Sequence, residues 1–273
     1  MNNTIFITGA SSGIGQATAL YFAKKGWNVI ATMRNPEKQT VLKNSQNVLV
    51  SKLDVEEPLT FPKIIQESIK HFGKIDVLLN NAGYGQHGLF EATTPEQIQK
   101  QFSVNLFGAM EVTRAILPHF RKNQAGTIIT ITSGVGRVTT PLVSVYAASK
   151  FALEGFFESL SFELASQKIM IKIIEPGSID TNFEQTTKQH FAIDDKLVDY
   201  DSYLRHTDKV FKSIYSGGSS SAEDVAKTIY EAATDKKNQL RYVIGYDLKA
   251  FLKIRNHNED EDYMKALREV FAE

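Results

Sequence analysis

Seven short runs of aliphatic and β-branched residues, each followed by a longer stretch with helical patterning, set the limits on what this chain can fold into. The runs are TIFITG from Thr4, NVIATM from Asn28, NVLVSKLD from Asn47, IDVLLNNAG from Ile75, TIITITS from Thr127, IMIKIIEPG from Ile169 and LRYVIG from Leu240. Most are nearly continuous in hydrophobic character. A strand with one face in water alternates apolar and polar residues, whereas a parallel strand covered on both faces does not. The pattern therefore predicts an α/β, doubly wound parallel sheet with helices on both faces, receiving its ligand at the carboxyl ends of the strands. Between the runs, TPEQIQKQF reads as a helix start, with Thr94 as N-cap, Pro95 in the first turn and Gln97 closing a capping box. Ser220 and Glu223 are read as a second capping box ahead of EDVAKTIYEAA. No repeat or linker divides the 273 residues, so residues 1–273 are expected to form a single catalytic domain.

Directly after the first run, ITGASSGIG supplies Gly9, Gly13 and Gly15 at the start of a helix. Glycine allows a sharp turn and a close backbone approach, and a helix N-terminus offers unpaired N–H groups and the positive end of a dipole. In this strand–turn–helix setting the turn predicts a pyrophosphate cradle. NAD-binding versions place an acid about 20 residues further on, against the ribose 2′-hydroxyl. Here the corresponding stretch, VIATMRNPEK, carries Met33 and Arg34 and no acid. A guanidinium grips a 2′-phosphate through parallel charge-assisted bonds, and Ser11 can add a hydroxyl. The expected cofactor is NADP(H) in preference to NAD(H). The plainer alternative for Arg34 is a solvated surface arginine.

The stretch YAASKFALEGF places Tyr146 and Lys150 four positions apart, on one face of a helix if the segment is helical. A cation beside a phenol favours the phenolate, and this pair is what a protein needs to exchange a proton near neutral pH.

Composition removes several other functions. Lys plus Arg and Asp plus Glu are equal at 31 each, so no net field draws the chain to nucleic acid or an anionic membrane. With no cysteine there is no disulfide, thiolate metal site or thiol nucleophile. The six histidines (His71, His87, His119, His190, His206 and His257) are scattered and read as surface or packing residues, so no metal is expected. The acidic run NEDEDY from Asn258 reads as a solvated helix start. An apolar strand within a few residues of Met1 leaves no room for a signal peptide, and no apolar run approaches the ~20 residues of a membrane span, so the expected location is cytoplasmic.

Six segments occur in one order: TGASSGIG (Thr8–Gly15), NNAG (Asn80–Gly83), Asn105 within SVNLFG, Ser133 within ITSGVG, YAASK (Tyr146–Lys150) and PGSIDT (Pro176–Thr181). Together they resemble the single-domain short-chain dehydrogenases/reductases over roughly residues 3 to 250. VIATMRN and SGVGRVTTPLVSVYAASK further resemble the hydroxysteroid- and retinol-dehydrogenase-like branch. The resemblance implies a Rossmann fold with a seven-stranded parallel sheet in the order 3-2-1-4-5-6-7. It implies that Gly9, Ser11, Ser12, Gly13, Ile14 and Gly15 line the phosphates, with Asp54 and Val55 at the adenine. Asn81, Ala82 and Gly83 would lie along the adenosine ribose, Tyr146 and Lys150 at the nicotinamide ribose, and Pro176, Gly177, Ile179 and Thr181 at the nicotinamide. For Asp54 the alternative is a residue that merely ends its strand.

By the same resemblance Tyr146 exchanges the proton while hydride passes between nicotinamide and carbonyl carbon, Ser133 holds the substrate oxygen, and Asn105 anchors a water leading from Lys150 to solvent. An unperturbed phenol titrates near ~10, and Lys150 with the oxidised nicotinamide is expected to lower that value. Asn105 is placed in mid-helix, a poor position for asparagine. Val135, Val138, Leu142 and Val143, with the aromatics from Phe183 to Tyr215, are expected to line an apolar pocket. Leu197, Tyr200, Leu204, Phe211 and Ile214 follow helical spacing, as a helix packed on the core or as part of a mobile lid. The lid is placed at about residues 181–218 and a C-terminal tail at about 248–273. The expected partner is an apolar carbonyl or alcohol, with no nucleic acid. The helices around Asn105 and Tyr146 resemble those that join family members into homodimers and homotetramers. Two other functions stay open: a catalytically silent NADP(H)-binding sensor, and another reaction of the same fold, such as epimerisation or enoyl reduction.

Overall fold

In the computed structural model the described residues are 2–181, 183–215 and 218–272, without the side chains of Glu184, Gln185, Thr186 and Tyr215. Strands β1 (Thr4–Ile7), β2 (Asn28–Met33), β3 (Val48–Lys52), β4 (Val77–Asn80), β5 (Gly126–Ile131) and β6 (Ile169–Pro176) occupy the predicted runs. Two short strands follow, β7 (Ile179–Asp180) and β8 (Ser220–Ser221), which pair with each other. The last predicted run forms β9 (Arg241–Ile244). The main sheet has the order β3-β2-β1-β4-β5-β6-β9, and every pairing in it is parallel. It is the expected Rossmann sheet, with β9 in the seventh place.

The unbroken hydrophobicity of the strands has a direct cause. Successive side chains of a strand point to opposite faces, and here both faces are dry. Ile5 and Ile7 of β1 enter one core with Val29 and Ala31 of β2, while Phe6 and Ile30 enter the other. The first core is closed by helix α1 (Gly13–Lys24), through Ala19 and Phe22, and by α8 (Ala222–Thr234), through Val225 and Ile229. The second is closed by α2 (Phe61–Phe72), α4 (Gly108–Asn123) and α5 (Ser144–Ala165), through Phe61, Ile116, Phe120, Leu153 and Phe157. Each such aromatic or branched side chain contributes roughly 1.5–3 kcal/mol on burial.

Helix α3 (Pro95–Phe102) starts with the predicted capping box of Thr94 and Gln97. The second box is shifted by one residue: Ser221, not Ser220, caps α8, and Asp224, not Glu223, reciprocates. Ser220 is instead held in the β7–β8 pairing opposite Ile179.

Helices α6 (Phe183–Gln189) and α7 (Asp201–Tyr215) fill the predicted lid, and α9 (Tyr246–His257) and α10 (Asp260–Phe271) the tail. Phe211 of the apolar stripe meets α10, its ring centroid 5.5 Å from that of Phe271, so at this position α7 packs on the tail. Tyr215 belongs to the predicted stripe region, and its side chain lies outside the described residues. The acidic run forms the first turn of α10, where Asp260, Glu261 and Asp262 face the positive end of the helix dipole.

Candidate active site

The loop between β1 and α1 is built around close backbone contacts. Gly9 has φ +68°, and a Cβ there would stand 2.8 Å from the Ala82 Cα. A Cβ on Gly15 would stand 2.4 Å from the Gly9 carbonyl oxygen. Asn81 holds the turn shut from β4, its amide donating to the carbonyls of Thr8 (2.9 Å) and Gly9 (3.0 Å). Thr8 answers by accepting at Oγ1 from the backbone N–H groups of Asn81 and Ala82. The Asn81 side chain thus braces the glycine turn.

Ser12 precedes α1 in extended conformation and places no side-chain cap on it. The Ser12 side chain therefore does not compete for the first-turn N–H groups of α1, which a pyrophosphate would use. The residues present fit a dinucleotide.

At the end of β2 Met33 is buried and Arg34 is exposed, without a salt bridge among the described residues. The Ser11 carbonyl accepts from the side-chain amides of Gln16 and Gln39, which fixes the turn. Past β3, Asp54 accepts at Oδ1 from the Glu56 N–H at 3.1 Å and so closes the turn that ends its strand. Val55 packs tightly against Gly108 at the start of α4.

Ser133 follows β5, and Tyr146 and Lys150 face it from the first turns of α5. Tyr146 is 7% exposed and Lys150 6%. The Lys150 ammonium lies 5.8 Å from the centre of the Tyr146 ring and donates to the Ile131 carbonyl at 2.9 Å. Ser133 hydrogen-bonds the phenol and also caps the short turn after β5 by accepting from the Val135 N–H. The expected lowering of the phenol pKa is not what the protein groups produce. Burial pushes Tyr146 up to about 12, against a smaller downward effect of the Ser133 hydrogen bond. Burial also lowers Lys150 to about 8, partly opposed by the Glu154 carboxylate one turn further along α5. Desolvation outweighs the neighbouring cation because each charged form must leave water.

Asn105 is not in an ordinary mid-helix position. It sits in a single π-helical turn, Ser103–Phe107, between α3 and α4. Such turns interrupt the regular ladder and recur at functional sites. Its Oδ1 accepts from the Tyr84 N–H (3.0 Å), and its amide donates to the Tyr84 carbonyl (2.9 Å) and to the Ser149 hydroxyl (3.3 Å). The side chain pins the loop after β4 to α5.

Residues 3–191 match the family model described as short chain dehydrogenase. The chain belongs to the short-chain dehydrogenase/reductase family. Human retinol dehydrogenase 8 is 36% identical to it over 258 residues, covering 87% of this chain and 80% of that one. A solved short-chain dehydrogenase from Streptomyces avermitilis is 30% identical with a TM-score of 0.82, covering 98% of this chain and 95% of that one. ElxO, solved with NADP bound, is 29% identical with a TM-score of 0.75, covering 90% of this chain and 99% of that one. The protein is an oxidoreductase of the dehydrogenase/reductase type, with a cofactor of the nicotinamide class.

In this dehydrogenase/reductase the segment after β6 folds back over the glycine turn. The Thr181 side chain would meet a Cβ on Gly13 at 3.7 Å, so PGSIDT and TGASSGIG lie against each other. Phe183, at the head of α6, brings its ring centroid to 5.8 Å from that of Tyr146. The predicted lid is then stitched to the loop after β4: Ala192 donates to the His87 carbonyl (2.8 Å), Leu89 to the Ala192 carbonyl (3.0 Å), and the Gln86 amide to the His190 carbonyl (2.6 Å). Of the expected pocket residues, Val135 and Val143 pack with Tyr146. Leu142 lines a cavity of about 520 Å³ together with Leu89, Phe90, Tyr200 and Tyr203. Val138 turns away and packs on Leu248, Leu252, Tyr263 and Leu267 of α9 and α10.

Two residues of the site carry no motif. Asp247 of α9 accepts from the Ser178 N–H at 2.9 Å, and its carboxylate occupies the space left by the missing side chain of Gly177. His87 packs its ring 5.5 Å from that of Tyr146. It lies four positions past NNAG, a spacing that is the one sequence signal for it.

Proposed function

We propose that this chain is an NADP(H)-dependent carbonyl reductase and alcohol dehydrogenase of apolar substrates, with its whole length forming one catalytic domain. The observation that carries the reading is the meeting of half-buried Ser133 with the buried Tyr146 and Lys150 at the end of β5. A bound nicotinamide supplies or accepts the hydride. Every other requirement falls on side chains of this protein. In reduction the Tyr146 phenol gives its proton to the substrate oxygen, and in oxidation the phenolate takes it back. The Ser133 hydroxyl holds that oxygen against the phenol as negative charge grows on it. The Lys150 ammonium stabilises the phenolate left behind and reaches the ribose. With its phenol at about 12, Tyr146 is protonated at neutral pH, the form that reduction requires.

Support for NADP(H) comes from Arg34, an exposed guanidinium at the end of β2 where NAD-binding relatives place an acid. ElxO, of similar fold, was solved with NADP bound. Gly9, Ser11, Ser12, Gly13, Ile14 and Gly15 would hold the phosphates, Asp54 and Val55 the adenine, Ala82 and Gly83 the ribose, and Pro176, Gly177, Ile179 and Thr181 the nicotinamide. An apolar substrate suits Phe183, Val135, Val143 and the cavity at Leu142, and retinol dehydrogenase 8 is named for such an alcohol. Among the described residues no helix is long and apolar enough to cross a membrane, which agrees with a cytoplasmic enzyme. A homodimer or homotetramer would cover Phe107, Phe151 and Phe162, which are 47%, 41% and 77% exposed on and beside α4 and α5.

The test is NADPH oxidation over a broad panel of ketones and aldehydes, repeated with NADH. Turnover with several apolar carbonyls and a clear preference for NADPH is the expected result. Tight NADPH binding with no turnover over the whole panel would instead favour the sensor.

A further inference from the structure

His87 is held in place with unusual completeness for a loop residue. Its carbonyl accepts from Ala192 and from the Gln86 amide, the preceding N–H of Gln86 donates to Gln101, and the following N–H of Gly88 donates to the Leu142 carbonyl. Three separate segments therefore fix its backbone. Its ring completes a triangle with Tyr146 and Phe183, at centroid separations of 5.5 Å and 6.5 Å, the third side being the 5.8 Å between Tyr146 and Phe183. Nε2 is buried on the side of Gly85 and Phe183 and has no hydrogen-bond partner among the described residues.

A buried ring nitrogen beside the reacting phenol calls for a physical account. An apolar side chain would pack the same triangle without leaving a polar atom unpaired. Burial lowers the imidazole to about 4, so at neutral pH the ring is uncharged and presents either a donor or an acceptor at Nε2 according to its tautomer. Such a group can pair with a hydroxyl or a carbonyl of a ligand without bringing a charge into the pocket.

We propose that His87 is a specificity-determining residue that hydrogen-bonds, through Nε2, a second oxygen of the substrate on the carbon next to the reacting carbonyl. The inference rests on the carbonyl-reductase reading above and narrows it to ketones carrying an adjacent hydroxyl or carbonyl on an otherwise apolar frame. With the two ring centres 5.5 Å apart, a substrate that meets Nε2 also lies beside the Tyr146 ring. A site built to pair a substrate hydroxyl rejects the analogue that lacks it far more strongly than an apolar pocket rejects an extra methylene, because its own polar atom is then left unpaired.

The test compares kcat/KM for NADPH-dependent reduction of 2-hydroxyacetophenone and of acetophenone in the wild type and in His87→Phe, which keeps the ring packing and removes the nitrogen. Taking the ratio between the two ketones cancels their intrinsic reactivities. The wild-type preference for the hydroxyketone is expected to fall about tenfold or more in His87→Phe, the size of one hydrogen bond, with NADPH affinity unchanged. His87→Gln, which restores a polar atom, should keep most of the preference and guards against misfolding of the first variant. An unchanged ratio in His87→Phe overturns the assignment of His87 and leaves the carbonyl-reductase reading in place. Wild-type enzyme that reduces neither ketone also overturns it, and the broad carbonyl panel then decides the wider reading separately.

Discussion

The Lys150 ammonium stands 5.8 Å from the centre of the Tyr146 ring while its proton is shared with the Ile131 carbonyl at 2.9 Å. The cation is therefore anchored by the end of β5, the same strand that delivers Ser133, and not by the phenol it serves. Geometry comes from the backbone, and charge from a side chain that gains little by being there. Two consequences are measurable.

Replacing Tyr146 by Phe removes the proton donor and keeps the packing against His87 and Phe183. The expected loss in kcat is about 10²–10⁴-fold, the usual contribution of a general acid. NADPH affinity, measured by fluorescence titration, should stay within about twofold of wild type. Ordinary turnover in this variant would remove Tyr146 from the mechanism.

The Lys150 pKa is lowered to about 8 by burial, so the folded protein holds this proton less tightly than the unfolded chain does. The charged form costs stability below about pH 8, and that cost disappears as the pH rises from about 8 towards 10.5. Lys150→Met should stabilise the cofactor-free protein at pH 7 by on the order of 1–3 kcal/mol. The gain is read as a higher Tm and shrinks at alkaline pH. The same variant should lose turnover and bind NADPH weakly. A Tm difference that is the same at pH 7 and pH 10 would contradict the burial account.

Glu175, at 0% exposure, shares a crowded space with Glu154, Arg137 and Arg241. Burial first, and the Glu154 carboxylate second, raise its pKa to about 7, against the pull of both arginines. The folded state therefore binds a proton that the unfolded chain releases, and stability is lost as the pH rises from about 4.5 through 7. Glu175→Gln should stabilise the protein at pH 8 and have little effect at pH 5, as read by thermal unfolding at both values. An equal effect at the two pH values would count against it.

Arg34→Ser should raise the KM for NADPH and leave that for NADH nearly unchanged. The preference ratio is expected to fall about tenfold or more, since a charge-assisted hydrogen bond is worth ~1.5–3 kcal/mol. Equal Michaelis constants for the two cofactors in the wild type would already dismiss the role.

Lys172, on β6, is 1% exposed, with its ammonium bonded to Asp235 (2.7 Å), the Tyr242 hydroxyl (2.8 Å) and the Lys237 carbonyl (2.9 Å). Removing one partner of a buried pair strands the other. Lys172→Leu should destabilise the fold by roughly 3–5 kcal/mol, seen as a lower denaturant midpoint. A shift under about 1 kcal/mol would mean the pair is dispensable.

Features that depend on neighbours along the chain are legible in the sequence. The unbroken strands point to the parallel sheet because both faces of β1 are covered, and Thr94 with Gln97 marks the start of α3 because a capping box spans four residues. The glycine turn is readable for the same reason. Features set across the fold are not. Three consecutive serines each offer a cap for α8, and only the pairing of Ser220 with Ile179 selects Ser221. The π-turn at Asn105 is stabilised by Tyr84, 21 positions earlier, and by Ser149, 44 positions later. Proximity of Lys150 to Tyr146 follows from spacing, but the depth of burial that reverses the expected phenol shift is made by packing from distant segments such as Phe183. Asp247 has no local pattern and His87 only its spacing from NNAG, and their roles come from Ser178, 69 positions from Asp247, and from Tyr146.

The Asp247 carboxylate wedges itself beside Gly177 and steadies the Ser178 amide, yet it belongs to α9, well beyond residue 191, where the family match ends. A chain cut short after β9 would retain every signature segment and still lose the prop behind PGSIDT. The tail is thus the buttress of that segment, built by the part of the molecule that carries no motif.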